Sequence, residues 1–196
     1  MRWDRLFDDL EGQLEQELGA EERDLRAEEE RLRLGRLALR DRLLALHENG
    51  AGAVAVALRD GDQLALRTTD FGRDWFAAEV VDDRHRRTQC IVALSGVVAL
   101  VLTAAQVEPS LAPVESEAGQ HSLSARLTLP FVLRDLCRRR AAVDVRTVGG
   151  DIHGTVDRVG RDHFDLAVHE AGRPRRQSEV TQHRVVPLDQ LLLVRW

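Results

Sequence analysis

The chain has 196 residues, enough for one or two small domains with real cores, and a net charge of −5. All 28 basic residues are Arg and neither Lys nor Tyr occurs, which fits a GC-rich coding sequence and excludes lysine Schiff-base chemistry and a P-loop lysine. Residues 1–48 carry 9 Arg against 14 acids and residues 126–196 carry 13 against 9, so an acidic front precedes a basic back.

The two cysteines, Cys90 and Cys137, have no CxxC spacing and no flanking His, the usage of a reduced, cytoplasmic chain. Arg2, Asp4, Arg5 and Asp8 leave no apolar signal-peptide core at the start. The run Cys90–Ala105 is uncharged, but it falls short of the roughly 20 residues that cross a bilayer, and Ser95-Gly96 suits a turn inside it. No membrane association is expected.

Residues 1–48 form an N-terminal helical segment in this reading. Trp3, Leu6, Phe7, Leu10, Leu14 and Leu18 recur at helical steps. After Gly19 a longer helix is predicted from Ala20 to His47, rich in helix formers and free of Pro. Leu18, Leu25, Leu32, Leu39 and Leu46 recur every seven residues, but Glu21, Glu22, Glu28 and Glu29 fall on the companion seam. Packing of its second half on the following module is therefore favoured over a self-paired coiled coil.

Residues 49–105 read as a first module of five short strands: Val54–Leu58, Gln63–Thr69, Trp75–Val81, Cys90–Leu94 and Val97–Leu102. Residues 106–126, with Pro109, Pro113 and several Glu and Ser, read as a linker. Residues 127–196 restart the plan. A helix over Leu129–Arg140 with Pro130 in its first turn precedes strands at Ala141–Thr147, Asp151–Arg158, His163–His169, Val180–Val185 and Leu191–Arg195.

The two modules are copies. Phe71-Gly72-Arg73-Asp74-Trp75-Phe76 and Val159-Gly160-Arg161-Asp162-His163-Phe164 lie 88 residues apart, and Gly61 aligns with Gly149 and Leu64 with Ile152. Leu39-Arg40-Asp41 resembles Leu133-Arg134-Asp135 in the same way. The Gly-Arg-Asp triplets fall between strands two and three, where Gly serves a bend and Asp bonds turn backbone. The fold class expected is α+β, mainly β, with N-terminal helices and two tandem small barrels.

A helix followed by five bent strands resembles the Sm-like family of SH3-like small barrels. Gly154-Thr155-Val156 followed by Asp162-His163-Phe164-Asp165-Leu166 is similar to that family's Gly-x-hydrophobic and Asp-x-aromatic-x-hydrophobic pattern. The run from Val185 to Leu191 is similar to its last strand pair, and equally to the Val-Pro strand of PRC-barrel and ribosome-maturation barrels. The inserted Gly160-Arg161 and the missing base-binding Asn depart from the RNA-binding members. The whole chain also resembles actinobacterial proteins of unknown function, which implies no activity.

The candidate site is an Arg cluster in the second module: Arg138, Arg139 and Arg140 at a helix end, and Arg173, Arg175 and Arg176 in a loop. Such a cluster can pair phosphates or simply complement a helix dipole. His163 and His169 are expected outside the sheet, opposite Asp157 and Asp151, too far apart to share a metal. No nucleophile elbow, phosphate loop or metal-ligand spacing occurs, so neither enzymatic activity nor a cofactor is expected. The leading expectation is an interaction or regulatory adaptor with a protein partner or self-association as a homo-oligomer. RNA or DNA binding through the Arg-rich second module is the alternative.

Overall fold

A computed structural model describes residues 19, 21–81, 87–114, 123–172 and 176–196. The chain divides into two compact units, Met1–Leu39 and Arg40–Trp196. In the first, residues 21–36 form a helix, α1. Pairs one turn apart, Arg26 with Glu22 and Arg33 with Glu30, lace its surface. The helix expected over residues 3–18 lies outside the described residues. The single helix expected from Ala20 to His47 is two: Leu37 and Ala38 interrupt it, just after the weak helix former Gly35. The Leu37 N–H turns back to the Leu34 carbonyl, closing α1.

The second unit runs α2 (Leu39–Glu48), β1 (Val54–Leu58), β2 (Gln63–Phe71), β3 (Trp75–Val81), β4 (Arg87–Ala93), β5 (Val97–Val101), α3 (Ala104–Leu111), α4 (Leu123–Arg126) and α5 (Leu129–Arg139). It continues with β6 (Ala142–Thr147), β7 (Gly150–Val159), β8 (His163–Val168), β9 (Gln182–Pro187) and β10 (Leu191–Arg195). The fold is α+β and mainly strand. Its ten strands form one antiparallel sheet in the order β5-β1-β2-β3-β4-β10-β6-β7-β8-β9. Gly61 and Gly150, at φ 93° and 114°, make the left-handed turns after β1 and β6 that a Cβ would oppose.

The duplication holds at the level of register. Each half has its fifth strand beside its first and its fourth at the far side. Thr69 in β2 and Asp157 in β7 are skipped in the pairing with β3 and β8, giving matching bulges. Val98 in β5 and Leu192 in β10 are skipped in the same manner. Arg40 donates to the Gly72 carbonyl at 2.7 Å and Arg134 to the Gly160 carbonyl at 3.4 Å, so α2 and α5 meet equivalent turns.

Each half has its own core. Leu43, Leu44 and Leu46 of α2 pack with Val54, Val56, Leu66, Phe76 and Val92. Leu129, Leu133 and Leu136, on one face of α5 at steps of four and three, pack with Val143, Val145, Val156, Phe164 and Leu166. Each such side chain contributes about 1.5–3 kcal/mol of hydrophobic burial. Gly154 has a packing reason, because a Cβ there would stand 2.4 Å from the Ala167 carbonyl oxygen.

The stretch expected as a linker holds structure. Its beginning lies in α3, where Gln106 Oε1 accepts the Thr103 N–H and Gln106 Nε2 donates to the Ala51 and Ala53 carbonyls. A single buried amide thus binds α3 to the chain entering β1. Residues 123–126 form α4, and residues 115–122 lie outside the described residues.

Candidate functional site

The two halves meet where β4 pairs with β10, with Val92 opposite Leu193, Ile91 opposite Val194 and Cys90 opposite Arg195. The cores interleave across this seam. Trp75, Ile91 and Ala93 of the first half pack into the second core, and Leu192 and Leu193 of the second pack into the first. Burial pushes the Cys90 thiol up to about 11, although nearby Arg195 opposes this, and leaves it inert as a nucleophile.

The first Gly-Arg-Asp turn completes the seam. Asp74 Oδ1 accepts the Leu129 N–H at 2.7 Å, satisfying a donor in the first turn of α5. The Arg73 N–H and Trp75 Nε1 both donate to the Leu127 carbonyl, at 2.9 and 3.0 Å. The expectation that Asp74 bonds its own turn through its side chain is corrected: its carboxylate reaches across to the other half. Gly72 is required for space, since a Cβ would lie 2.1 Å from Trp75 Nε1.

An ion pair closes the far end. Arg146 on β6 bonds Asp60 at 2.5 Å and also Asp62, both in the β1–β2 turn. Burial works against the Asp60 charge, but the Asp62 N–H and the Arg146 guanidinium outweigh it and hold the carboxyl below its ordinary range. Arg146 is likewise disfavoured by burial and raised overall by Asp62 and Asp60.

At the ends of the sheet the equivalent groups are open. Among the described residues no strand lies beyond β5 or β9. By the repeat, β9 is the counterpart of β4, and its Val185 replaces Ile91; the former is 66% exposed and the latter 4%. On β5, Val98 replaces Leu192, with exposures of 65% and 0%. The second turn differs as well. Asp162 Oδ1 accepts from His163 Nδ1 at 2.8 Å rather than capping a helix. Beside it opens a cleft of about 550 Å³ lined by Asp162, His163, Val185, Pro187, Leu188 and Asp189.

Of the Arg cluster, Arg138 and Arg139 both pair with Asp135 one turn back on α5, the latter at 2.7 Å. Arg140 takes the left-handed conformation, φ 51°, and its N–H caps the helix on the Cys137 carbonyl. All three are exposed, as is Arg176, while Arg173 and Arg175 lie outside the described residues.

The histidine expectation is corrected. His169 is buried beside Thr155 Oγ1 (Nε2 at 2.9 Å), and its ring meets His153 edge-on at 5.2 Å. Asp157 is skipped in the pairing of β7 with β8, so His163 does not stand opposite it and instead pairs with Pro187 on β9, while Asp151 pairs with Arg146 on β6 and not with His169. His153 Nδ1 donates to Asp144 at 2.6 Å. Among the described residues no group of three or more His, Cys, Asp or Glu is placed to hold a metal. No helix among them is long and apolar enough to cross a membrane.

Sequence reasoning missed the open edges. Val98 and Val185 belong to runs that read simply as strands, and nothing local distinguishes an edge strand from a central one. Comparison with protein families, curated proteins and solved structures found no match.

Proposed function

We propose that this chain is a non-enzymatic cytosolic interaction protein, an adaptor made of two Sm-like small-barrel halves that presents its sheet edges to a protein partner. The observation that carries this reading is the exposure of Val98 and Val185 at positions whose counterparts, Leu192 and Ile91, are buried at the seam. An exposed strand edge offers unpaired backbone donors and acceptors in register, and an apolar side chain beside it adds burial on pairing.

A photo-crosslinking residue at position 98 or 185 is expected to trap a protein adduct, whereas one on the paired strand β2, at Arg67, traps none. Absence of adducts from both edges would sink the reading. Nucleic-acid binding through Arg138, Arg139, Arg140 and Arg176 draws support from their exposure. It is weakened by Asp135, which partners two of them. A salt-dependent mobility shift abolished by Arg138→Ala, Arg139→Ala and Arg140→Ala together would put it first.

A further inference from the structure

We infer that the partner on these edges is a second copy of the chain, with β5 of one copy pairing antiparallel with β9 of the next. This rests on the interaction reading above and gives it an occupant and a register. The chain already contains one instance of the contact. The seam joins a fourth strand, β4, to a fifth strand, β10, and duplication leaves a fifth strand free at one end and a fourth at the other. The two free edges are therefore the two sides of one interface type, presented at opposite ends of the sheet.

Superposing the repeat sets the pairing. The seam pairs Leu193 with Val92, Val194 with Ile91 and Arg195 with Cys90. Carried to the free edges, these become Ala99 with Val186, Leu100 with Val185, and Val101 with Arg184. Pro187, the counterpart of Ala93, falls beyond the paired stretch, so its missing N–H removes no bond from the new ladder. The second turn of one copy leaves room beside the paired strands. At the seam the Leu127 carbonyl and Leu129 N–H dock on the turn carrying Asp74 and Trp75, and the equivalent turn opens onto the cleft beside Asp162 and His163.

The contact lacks one element of the seam. Arg146 has Ala57 as its counterpart, so the Asp60–Arg146–Asp62 ion pair is not reproduced between copies. The association is accordingly weaker than the seam and reversible with dilution. It is also head-to-tail, because each copy uses different strands at its two ends, so addition continues past a dimer until geometry closes it.

The test uses the full chain in sedimentation experiments. Wild type is expected to gain mass with concentration beyond a dimer. Val98→Asp and Val185→Asp, both at exposed positions, are each expected to be monomeric, with melting curves equal to that of wild type at dilution. An equimolar mixture of the two recovers a dimer and nothing larger, because one good edge of each kind remains. The register is read by oxidising a Val101→Cys, Arg184→Cys double variant, whose opposed Cβ atoms suit an interchain disulfide. Val101→Cys with His183→Cys, slipped by one residue to the other face, is expected to give none.

A wild type that stays monomeric at its highest soluble concentration overturns the inference, as does one that stops at a dimer or a mixture that fails to recover one. Those results leave the interaction reading standing if crosslinks at positions 98 or 185 capture a different chain. If neither edge captures anything, both fall.

Discussion

Strands β4 and β9 hold the same place in their halves, yet Ile91 in one is 4% exposed and Val185 in the other 66%. The residues are both β-branched and apolar, and both strands pair with a third strand on one side in the same register. The difference comes wholly from what lies on the other side: β10 in one case, solvent in the other. Burial in this sheet is thus decided by neighbours more than by the strand's own pattern. The turns beside these strands make the same point, since Trp75 and Asp74 reach another segment while His163 and Asp162 bond each other.

The contrast breaks most sharply on the fifth strands. Leu193→Ala removes a side chain buried at the seam and is expected to cost about 2–5 kcal/mol in urea unfolding. Val98→Ala, measured at dilution, is expected to stay within about 0.5 kcal/mol as a surface change. Equal losses would mean that Val98 is covered.

The ion pair is next in size. Arg146→Ala leaves Asp60 and Asp62 without their shared cation and is expected to cost about 1.5–3 kcal/mol, the range for hydrogen bonds to charged groups. A double-mutant cycle with Asp60→Asn checks it, because coupling near zero would show that the two halves are held by apolar contacts alone.

The turns give a smaller effect. Asp74→Ala removes the acceptor for the Leu129 N–H and is expected to cost about 0.5–2 kcal/mol, as for loss of a helix cap. Asp162→Ala caps no helix and is expected to change stability by less than about 0.5 kcal/mol. A matching loss at Asp162 would remove the distinction between the turns.

Much of this fold is legible in the residues themselves. The repeat aligns Phe76 with Phe164, and the structure keeps that equivalence, while the left-handed glycine matching Gly61 is Gly150 and not Gly149, because the β6–β7 turn is one residue shorter. Strand β1 and strand β10 fall at the expected Val54–Leu58 and Leu191–Arg195 because alternation and turn residues bound them closely. The helix break at Leu37-Ala38 was hidden, since Leu, Ala and Arg are all good helix formers and only Gly35 hints at it. The histidines were misplaced because β7 and β8 pair two residues further along than the turn residues suggest, which brings His153 rather than Asp151 beside His169. What joins the halves is least legible of all. Arg146 and Asp60 are 86 residues apart, and no periodicity connects a charge on one strand to a turn in the other half.

Acid titration separates two carboxylates in different settings, one in the ion pair between the halves and one in the open second turn. Asp60 lies at the seam with its carboxyl lowered, and Asp162 lies in the second turn with its carboxyl lowered chiefly by the His163 hydrogen bond. For a group whose folded value is depressed, the unfolded chain takes up the proton first as pH falls. Its stabilising contribution is therefore complete above the ordinary aspartate value of about 3.9 and is lost as pH drops through the folded value. Asp60→Asn abolishes that titration, so the stability gap between wild type and variant is expected to be widest near neutrality and to narrow steadily below pH about 4. Asp162 is fully exposed to solvent, which screens its interaction, and Asp162→Asn is expected to leave the acid limb unmoved. Urea unfolding repeated across this pH range checks both. A gap for Asp60→Asn that is constant with pH would show that the seam senses the shape of this side chain and not its charge.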